Sequence, residues 1–498
     1  MRIVTANTQG TLNPGDASRD PSGRHGPPPV DLARPSRRRD VHVNIRGIPG
    51  QRKRPIVDGP PITRRSLLGG GLALIGAGAA GCSIPVGLGS ARTRVRYWHF
   101  LGASDGIIMN GMVRAFGADN PGIAVEENVL AWGEPYYTKI AMAGAGGRSP
   151  DLATFHLARL SGIGAGRILD PIDPALLAEN GLKAADFSPP IWERAHVGGE
   201  LYAVPFDAHP MVQYYNTEIC ERAGLLGPDG RLLPTDGPEE LLAALRKAKA
   251  ALGGKPPLVF DALGLGTVGP WRLWWSLYPQ SGGTLLSEDG SRVTLDDAKA
   301  LDALRFMRTL GEEGLCDPRT DYGASVAAFT NGQAAFLWNG DWETTGLKQR
   351  GTPFSMARFP SVFGKGSAQA DCHAFVLPHQ RERDPEVESA TYRFIAHLVK
   401  NSADWAVAGH VPAYLPTLEQ PEYLALHPQS EYRSVVTEVA LDPRAWFAGS
   451  ASRLWLEFGQ AFSPVISGAR TPEQGLAQAK EALGRLMAAP NPFPPEER

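Results

Sequence analysis

The chain has 498 residues with 50 Lys/Arg, 52 Asp/Glu and 11 His, a formal net charge of −2 at pH 7. The charge is unevenly spread: 13 Lys/Arg face 5 Asp/Glu before Cys82, and 37 face 47 from Cys82 onward. An acidic majority over those 417 residues argues against nucleic-acid binding, which depends on basic contacts to phosphate, and the length suffices for two or three domains.

Residues 1–62 are rich in Pro, Gly and Arg, as in Gly26-Pro27-Pro28-Pro29 and Pro35-Ser36-Arg37-Arg38-Arg39, and show no apolar periodicity. They are expected to form a disordered extension, or to precede a later translation start such as Val57. Residues 63–82 open with Thr63-Arg64-Arg65-Ser66-Leu67-Leu68 and close with Ala79-Ala80-Gly81-Cys82. The 14 apolar or small residues Leu67–Ala80 fall short of the ~20 that span a bilayer. The order reads as a twin-arginine export signal ending in a lipobox-like cysteine, with Ala79 where Leu is commoner. A short membrane anchor or a Gly-rich linker is the alternative. The first reading makes Cys82 the lipidated residue and tethers an exported, already folded protein to the outer face of the cytoplasmic membrane.

Arg94–Phe100 alternates like a strand, and a helix capped by Ser104 or Asp105 follows with the stripe Ile108, Met112 and Phe116. Ile123, Val125 and Val129 mark a second strand, completing a βαβ unit. Pro150–Phe155 reads as a buried strand, and Leu201–Phe206 and Val212–Tyr215 as extended segments. Pro238–Leu252 is an amphipathic helix. Another begins at Asp296 or Asp297, turns Leu301, Leu304, Met307 and Leu310 inward, and has Gly314 just past its end. Thr471-Pro472-Glu473-Gln474 is a capping box with Pro at the first helical position. The class is α/β. Cys220, Cys316 and Cys372 allow at most one disulfide. The chain has no C-x-x-C, no H-E-x-x-H and no histidine pair at i, i+4, so no metal site is expected.

The block Gly198-Gly199-Glu200-Leu201-Tyr202-Ala203-Val204-Pro205-Phe206-Asp207-Ala208-His209-Pro210, then Tyr214-Tyr215-Asn216, resembles the extracellular solute-binding proteins of ABC importers, specifically the large sugar-binding group (family 1). Tyr97-Trp98-His99-Phe100, Phe329-Thr330-Asn331-Gly332-Gln333-Ala334-Ala335-Phe336 with Gly340 and Trp342, and Gly409-His410-Val411-Pro412-Ala413-Tyr414 extend the likeness from about Val95 to Leu486. Many relatives have Arg where Tyr414 stands. The resemblance implies a two-lobed, type II periplasmic-binding-protein fold, each lobe a mixed or parallel sheet with flanking helices, and a ligand cleft between them. The implied lobes are 91–205 with 340–380, and 206–339 with 381–488. Hinge crossings are expected near 204–212, 325–340 and 376–384. The implied partners are a mono- or oligosaccharide and a pair of ABC permease subunits, with the protein free as a monomer. No catalysis and no cofactor are expected.

Sugar sites combine aromatic platforms with convergent polar groups. All 11 Trp lie after residue 90. Trp271, Trp338 and Trp342 are the preferred platforms, with Trp132 also placed to contribute. Asp207, His209 and Asp341 are the polar candidates beside them. Phe155 and His156 fall at the carboxyl edge of a strand, where open α/β sheets bind ligands. Gln280 and Gly283 offer an amide and an exposed N–H, and His373 and His410 complete the set. Two other readings are open. A glycerol-3-phosphate or glycerophosphodiester ligand would need Arg, Lys or helix N-termini aimed at the phosphate. An exported serine hydrolase would use Ser104, since Gly102-Ala103-Ser104-Asp105-Gly106 matches G-x-S-x-G, although too little chain precedes it to build the usual sheet.

Overall fold

The computed structural model describes residues 92–162, 167–263 and 268–492. The expected extension 1–62, the expected export signal 63–82 and Cys82 lie outside the described residues. Strand Thr93–His99 shows why the first sheet forms. Val95, Tyr97 and His99 are buried while Arg94 and Arg96 face outward, the period-2 pattern of a half-covered strand. It pairs in parallel with Ile123–Val129 and with Leu152–His156. His373–Pro378 joins antiparallel to Leu152–His156, and Leu169–Asp170 and Val204–Pro205 pair with it in turn. Among the described residues this is a six-stranded sheet. Helix Ala103–Asp119 is one of its covers, burying Met109, Met112 and Phe116. No side chain caps this helix: its N-cap is Gly102, and Asp105 sits in the first turn instead.

The second sheet is built round Asp207–Asn216, ten consecutive buried residues. Phe336–Gly340, Phe354–Arg358, Ala368–Asp371 and Val411–Pro412 all pair antiparallel with it. Leu258–Val259 and Val439–Ala440 lie at its edges. Its cover is helical. Gly237–Ala251, Gly269–Leu277, Asp297–Glu312, Arg453–Ile466 and Pro472–Ala488 bury a second apolar core against it. Asp296 caps its helix through Ala298 N and Lys299 N, and the Thr471–Gln474 capping box forms as its spacing implies. The architecture is mixed α/β, two sheets each with its own apolar core and helical cover.

The chain passes from the first sheet to the second between Pro205 and Asp207, returns between Asp371 and His373, and pairs with the second sheet again at Val411 and then at Val439. Two expectations are corrected here. The 325–340 segment does not cross, because Phe336–Gly340 pairs within the second sheet, and 376–384 joins two elements of the first. Residues 354–371 belong to the second sheet, whereas helix Pro385–Lys400 packs on Thr93–His99. Cys220, Cys316 and Cys372 are all free and buried. Among the described residues no helix is long and apolar enough to cross a membrane.

Candidate functional site

A cavity of about 530 Å³ opens where the strand ends of the two sheets meet. Alternation along Leu152–His156 sends Phe155 and His156 to opposite faces. Phe155 packs edge-on against Tyr136 and Tyr137, while His156 turns into the cavity. Its ring lies flat on Phe100, with centroids 4.5 Å apart, and its Nδ1 is 2.7 Å from the Tyr137 hydroxyl. Asp207 and His209, two apart on a strand, share a face. Asp207 is fully buried beneath the cavity wall and accepts from His373 N at 2.7 Å and Trp405 Nε1 at 2.6 Å. Its two oxygens also meet Nδ1 of His373 at 2.8 Å and of His209 at 3.1 Å.

The opposite wall is aromatic and cationic. The Arg272 guanidinium sits over Trp342 at 4.9 Å and over Trp455 at 5.2 Å, in the range where ring quadrupoles attract a cation. Trp342 Nε1 donates to the Tyr322 hydroxyl at 2.7 Å, which in turn donates to Glu343. Gly340 makes this pose possible, because a Cβ there would overlap the Trp342 ring. Trp132, nearly half exposed, forms the outer lip and meets His156 edge-on. Asp105, Asp261, Gln369, Asp371 and Ser450 add polar groups to the lining.

Burial dominates the electrostatics. It pushes Asp371 and Asp341 up to about 6 each. It drives His209 down to about 3, helped by neighbouring His373, and takes His156 well below the ordinary imidazole value. Burial also opposes ionisation of Asp207, yet His373 and His209 hold its carboxyl well below the usual range. His410 is the reverse case: burial alone would lower it, but the Asp105 and Asp341 carboxylates raise it well above a free imidazole.

Of the residues singled out in the sequence, Trp132, His156, His209, Trp342, His373 and His410 line the cavity, and Asp207 and Asp341 stand behind it. Five do not reach it. Trp271 stacks on Trp275 at 5.1 Å and packs edge-on to Phe458, because 271, 274 and 275 form one i, i+3, i+4 stripe facing the core. Trp338 points into the second core and donates Nε1 to Gln213. Phe155 is in the first core. Gln280 spends its amide on Pro360 O, Ser367 O, Val362 N and Phe363 N, and Gly283 exists to admit the Tyr278 ring. Arg272, Trp455, Tyr322, Asp105 and Asp371 are lining residues that the sequence pattern does not single out. Only Arg272 leaves a signal there, as the polar residue opposite the tryptophan stripe. The histidine spacing points to no metal site, yet the fold brings Asp207, His209, His373 and His410 within 4.8 Å of one another.

The profile of the bacterial extracellular solute-binding proteins matches residues 103–368. The chain belongs to that family. A lactose-binding protein of Rhizobium radiobacter is 25% identical over 198 residues, 38% of this chain and 44% of the relative. A binding protein of Brucella abortus (strain 2308) is 26% identical over 225 residues, 43% and 49% respectively, so the chain spans about half the length of the curated relatives it matches. Among solved structures, the GacH receptor of Streptomyces glaucescens, studied unliganded and with acarbose, superposes with a TM-score of 0.67 at 18% identity. The superposition covers 80% of this chain and 98% of that one. A solute-binding protein of Thermotoga lettingae bound to α-D-tagatose gives 0.66 at 19% identity, covering 80% and 100%. At those identities the likeness establishes the two-lobed fold.

Proposed function

We propose that this solute-binding protein captures a carbohydrate in the cavity between its sheets, closes round it and delivers it to an ABC permease while held by lipid at Cys82 outside the cytoplasmic membrane. One observation carries the reading: Phe100, Trp132, Trp342 and Trp455 line the cavity together with Gln369, Asp371, Ser450 and histidines. Sugars present apolar C–H faces and a rim of hydroxyls, which match such a lining. Relatives and structural neighbours that bind lactose, acarbose or tagatose support the ligand class.

Arg272 gives the glycerol-phosphate reading a foothold, since a half-buried guanidinium pairs readily with phosphate. Asp105, Asp261 and Asp371 share the same cavity, however, and repel a dianion. The hydrolase reading loses ground. Ser104 lies in the first turn of a helix preceded, among the described residues, by one strand only. The test is a thermal-shift screen of sugars and glycerol phosphates. A ligand at 100 times its Kd stabilises the native state by about 2.7 kcal/mol. Stabilisation by a sugar group supports the reading, and stabilisation by phosphates alone rejects it.

A further inference from the structure

We propose that Asp207, His209, His373 and His410 bind a divalent transition-metal cation of the Zn²⁺ class in the wall of the cavity. The proposal is independent of which solute the cavity takes. One donor atom from each residue lies within 4.8 Å of the other three, and all four side chains are buried. Zinc holds imidazole nitrogen and carboxylate oxygen at about 2.0–2.2 Å, so the donors of a tetrahedron sit roughly 3.4 Å apart. Two separations from a single oxygen already bracket that value: Asp207 Oδ2 is 2.8 Å from His373 Nδ1 and 3.9 Å from His410 Nδ1, while the neighbouring Oδ1 is 3.1 Å from His209 Nδ1. The remaining separations, up to 4.8 Å, contract as the donors close on a shared ion.

Hydrogen bonding to Asp207 accounts for His209 and His373 but not for His410. That ring is fully buried, and neither of its nitrogens has a hydrogen-bond partner. Asp341 Oδ1 at 3.2 Å and Asp105 Oδ2 at 3.4 Å are near enough for charge attraction but lie off the hydrogen-bonding direction. Three carboxylates, Asp207, Asp341 and Asp105, thus surround one buried imidazole, and a divalent cation bound there displaces the proton they favour while offsetting the same negative charge. The surroundings hold the donors in place. Trp405 donates Nε1 to Asp207 and stacks flat on His410 at 4.7 Å, and His373 N anchors the other carboxylate oxygen. Outer contacts of this kind orient metal ligands. Three imidazoles with one carboxylate suit Zn²⁺, Co²⁺, Ni²⁺ or Cu²⁺, whereas Mg²⁺ and Ca²⁺ take oxygen sets.

The donors come from the strand that enters the second sheet, the first residue of the strand that returns to the first, and the turn ahead of Val411–Pro412. A cation there therefore ties together segments that only the fold brings near. Full-length protein freed of metal with EDTA is titrated with Zn²⁺ by calorimetry and with Co²⁺ by visible absorption. The expected result is one equivalent of Zn²⁺, intense tetrahedral Co²⁺ bands and no competition from Mg²⁺. His209→Ala and His373→Ala should each weaken Zn²⁺ binding at least tenfold, and His427→Ala, an exposed histidine beside Glu431, should not. Absence of stoichiometric binding, weak octahedral Co²⁺ absorption, or affinity unchanged in both cavity variants overturns the proposal. The wild-type Co²⁺ spectrum decides the matter even if a variant fails to fold.

Discussion

Replacing Asp207 by Ala tests whether this carboxylate is the anchor of the site. Four donors converge on it: His373 N at 2.7 Å, Trp405 Nε1 at 2.6 Å, and Nδ1 of His373 and His209 at 2.8 and 3.1 Å. An orphaned buried donor costs about 1–3 kcal/mol, so four set a ceiling near ~12 kcal/mol. Donors in one network do not add, and water can enter from the cavity, which brings the expected loss to about 3–5 kcal/mol, the range for breaking a buried pair. For roughly 400 folded residues the unfolding entropy is about 0.8 kcal/mol/K, and the melting midpoint should fall by about 4–6 °C. Asp207→Asn should come close to the same loss, since its NH₂ opposes two of the donors. The assay is urea and thermal unfolding in EDTA, with Glu382→Ala, a solvent-exposed loop change, as a control that leaves the midpoint in place. A loss below about 1 kcal/mol in Asp207→Ala would show that the four donors find other partners, and the anchoring argument would fail.

Trp342→Ala should weaken ligand binding by about 2 kcal/mol, or roughly thirtyfold in Kd by calorimetry, because it removes both a platform and one face of the Arg272 clamp. Trp271→Ala should instead cost about 3–5 kcal/mol of stability while leaving the Kd of the folded fraction within about twofold, since Trp271 fills the core. Gly340→Ala should mimic Trp342→Ala in affinity, because its methyl occupies the space of the indole; unchanged affinity would mean that the ring has another productive pose. A fifth prediction concerns pH. Burial pushes Asp442 up to about 7 and Asp371 up to about 6, both above the ~3.9 of an unfolded aspartate. The native state then holds protons that the unfolded state has lost, so this stabilisation is full below about pH 4 and disappears as pH rises through 6 and 7. Asp442→Asn should flatten the decline in unfolding free energy between about pH 4 and about pH 7, and an unchanged slope would contradict the raised carboxyl.

The limits of the sequence are physical and can be seen residue by residue. Helices and strands are legible where the pattern is local: the Thr471 capping box, the Asp296 cap, and alternation along Thr93–His99 all form as their spacing implies. Crossings are not, because whether Phe336–Gly340 leaves a sheet or joins one is decided by its partner, Asp207–Asn216, more than a hundred residues away. Tryptophan count alone misleads in the same way. Trp271 and Trp338 have the chemistry of a sugar platform, but helical spacing and strand alternation turn both toward the second core. Both periodicities are written in the residue order itself. Applied to Gly269–Leu277, they put Trp271, Trp274 and Trp275 on one face and leave Arg272 on the other, toward the cavity. Applied to Leu152–His156, they separate Phe155 from His156. What no periodicity supplies is convergence from distant segments: Asp105, His373 and His410 meet only because two sheets exchange strands beside them. A candidate site is therefore most legible where one element carries both its residues and the reason they face outward. It is least legible at a sheet crossing, which is where this cavity and its histidine cluster lie.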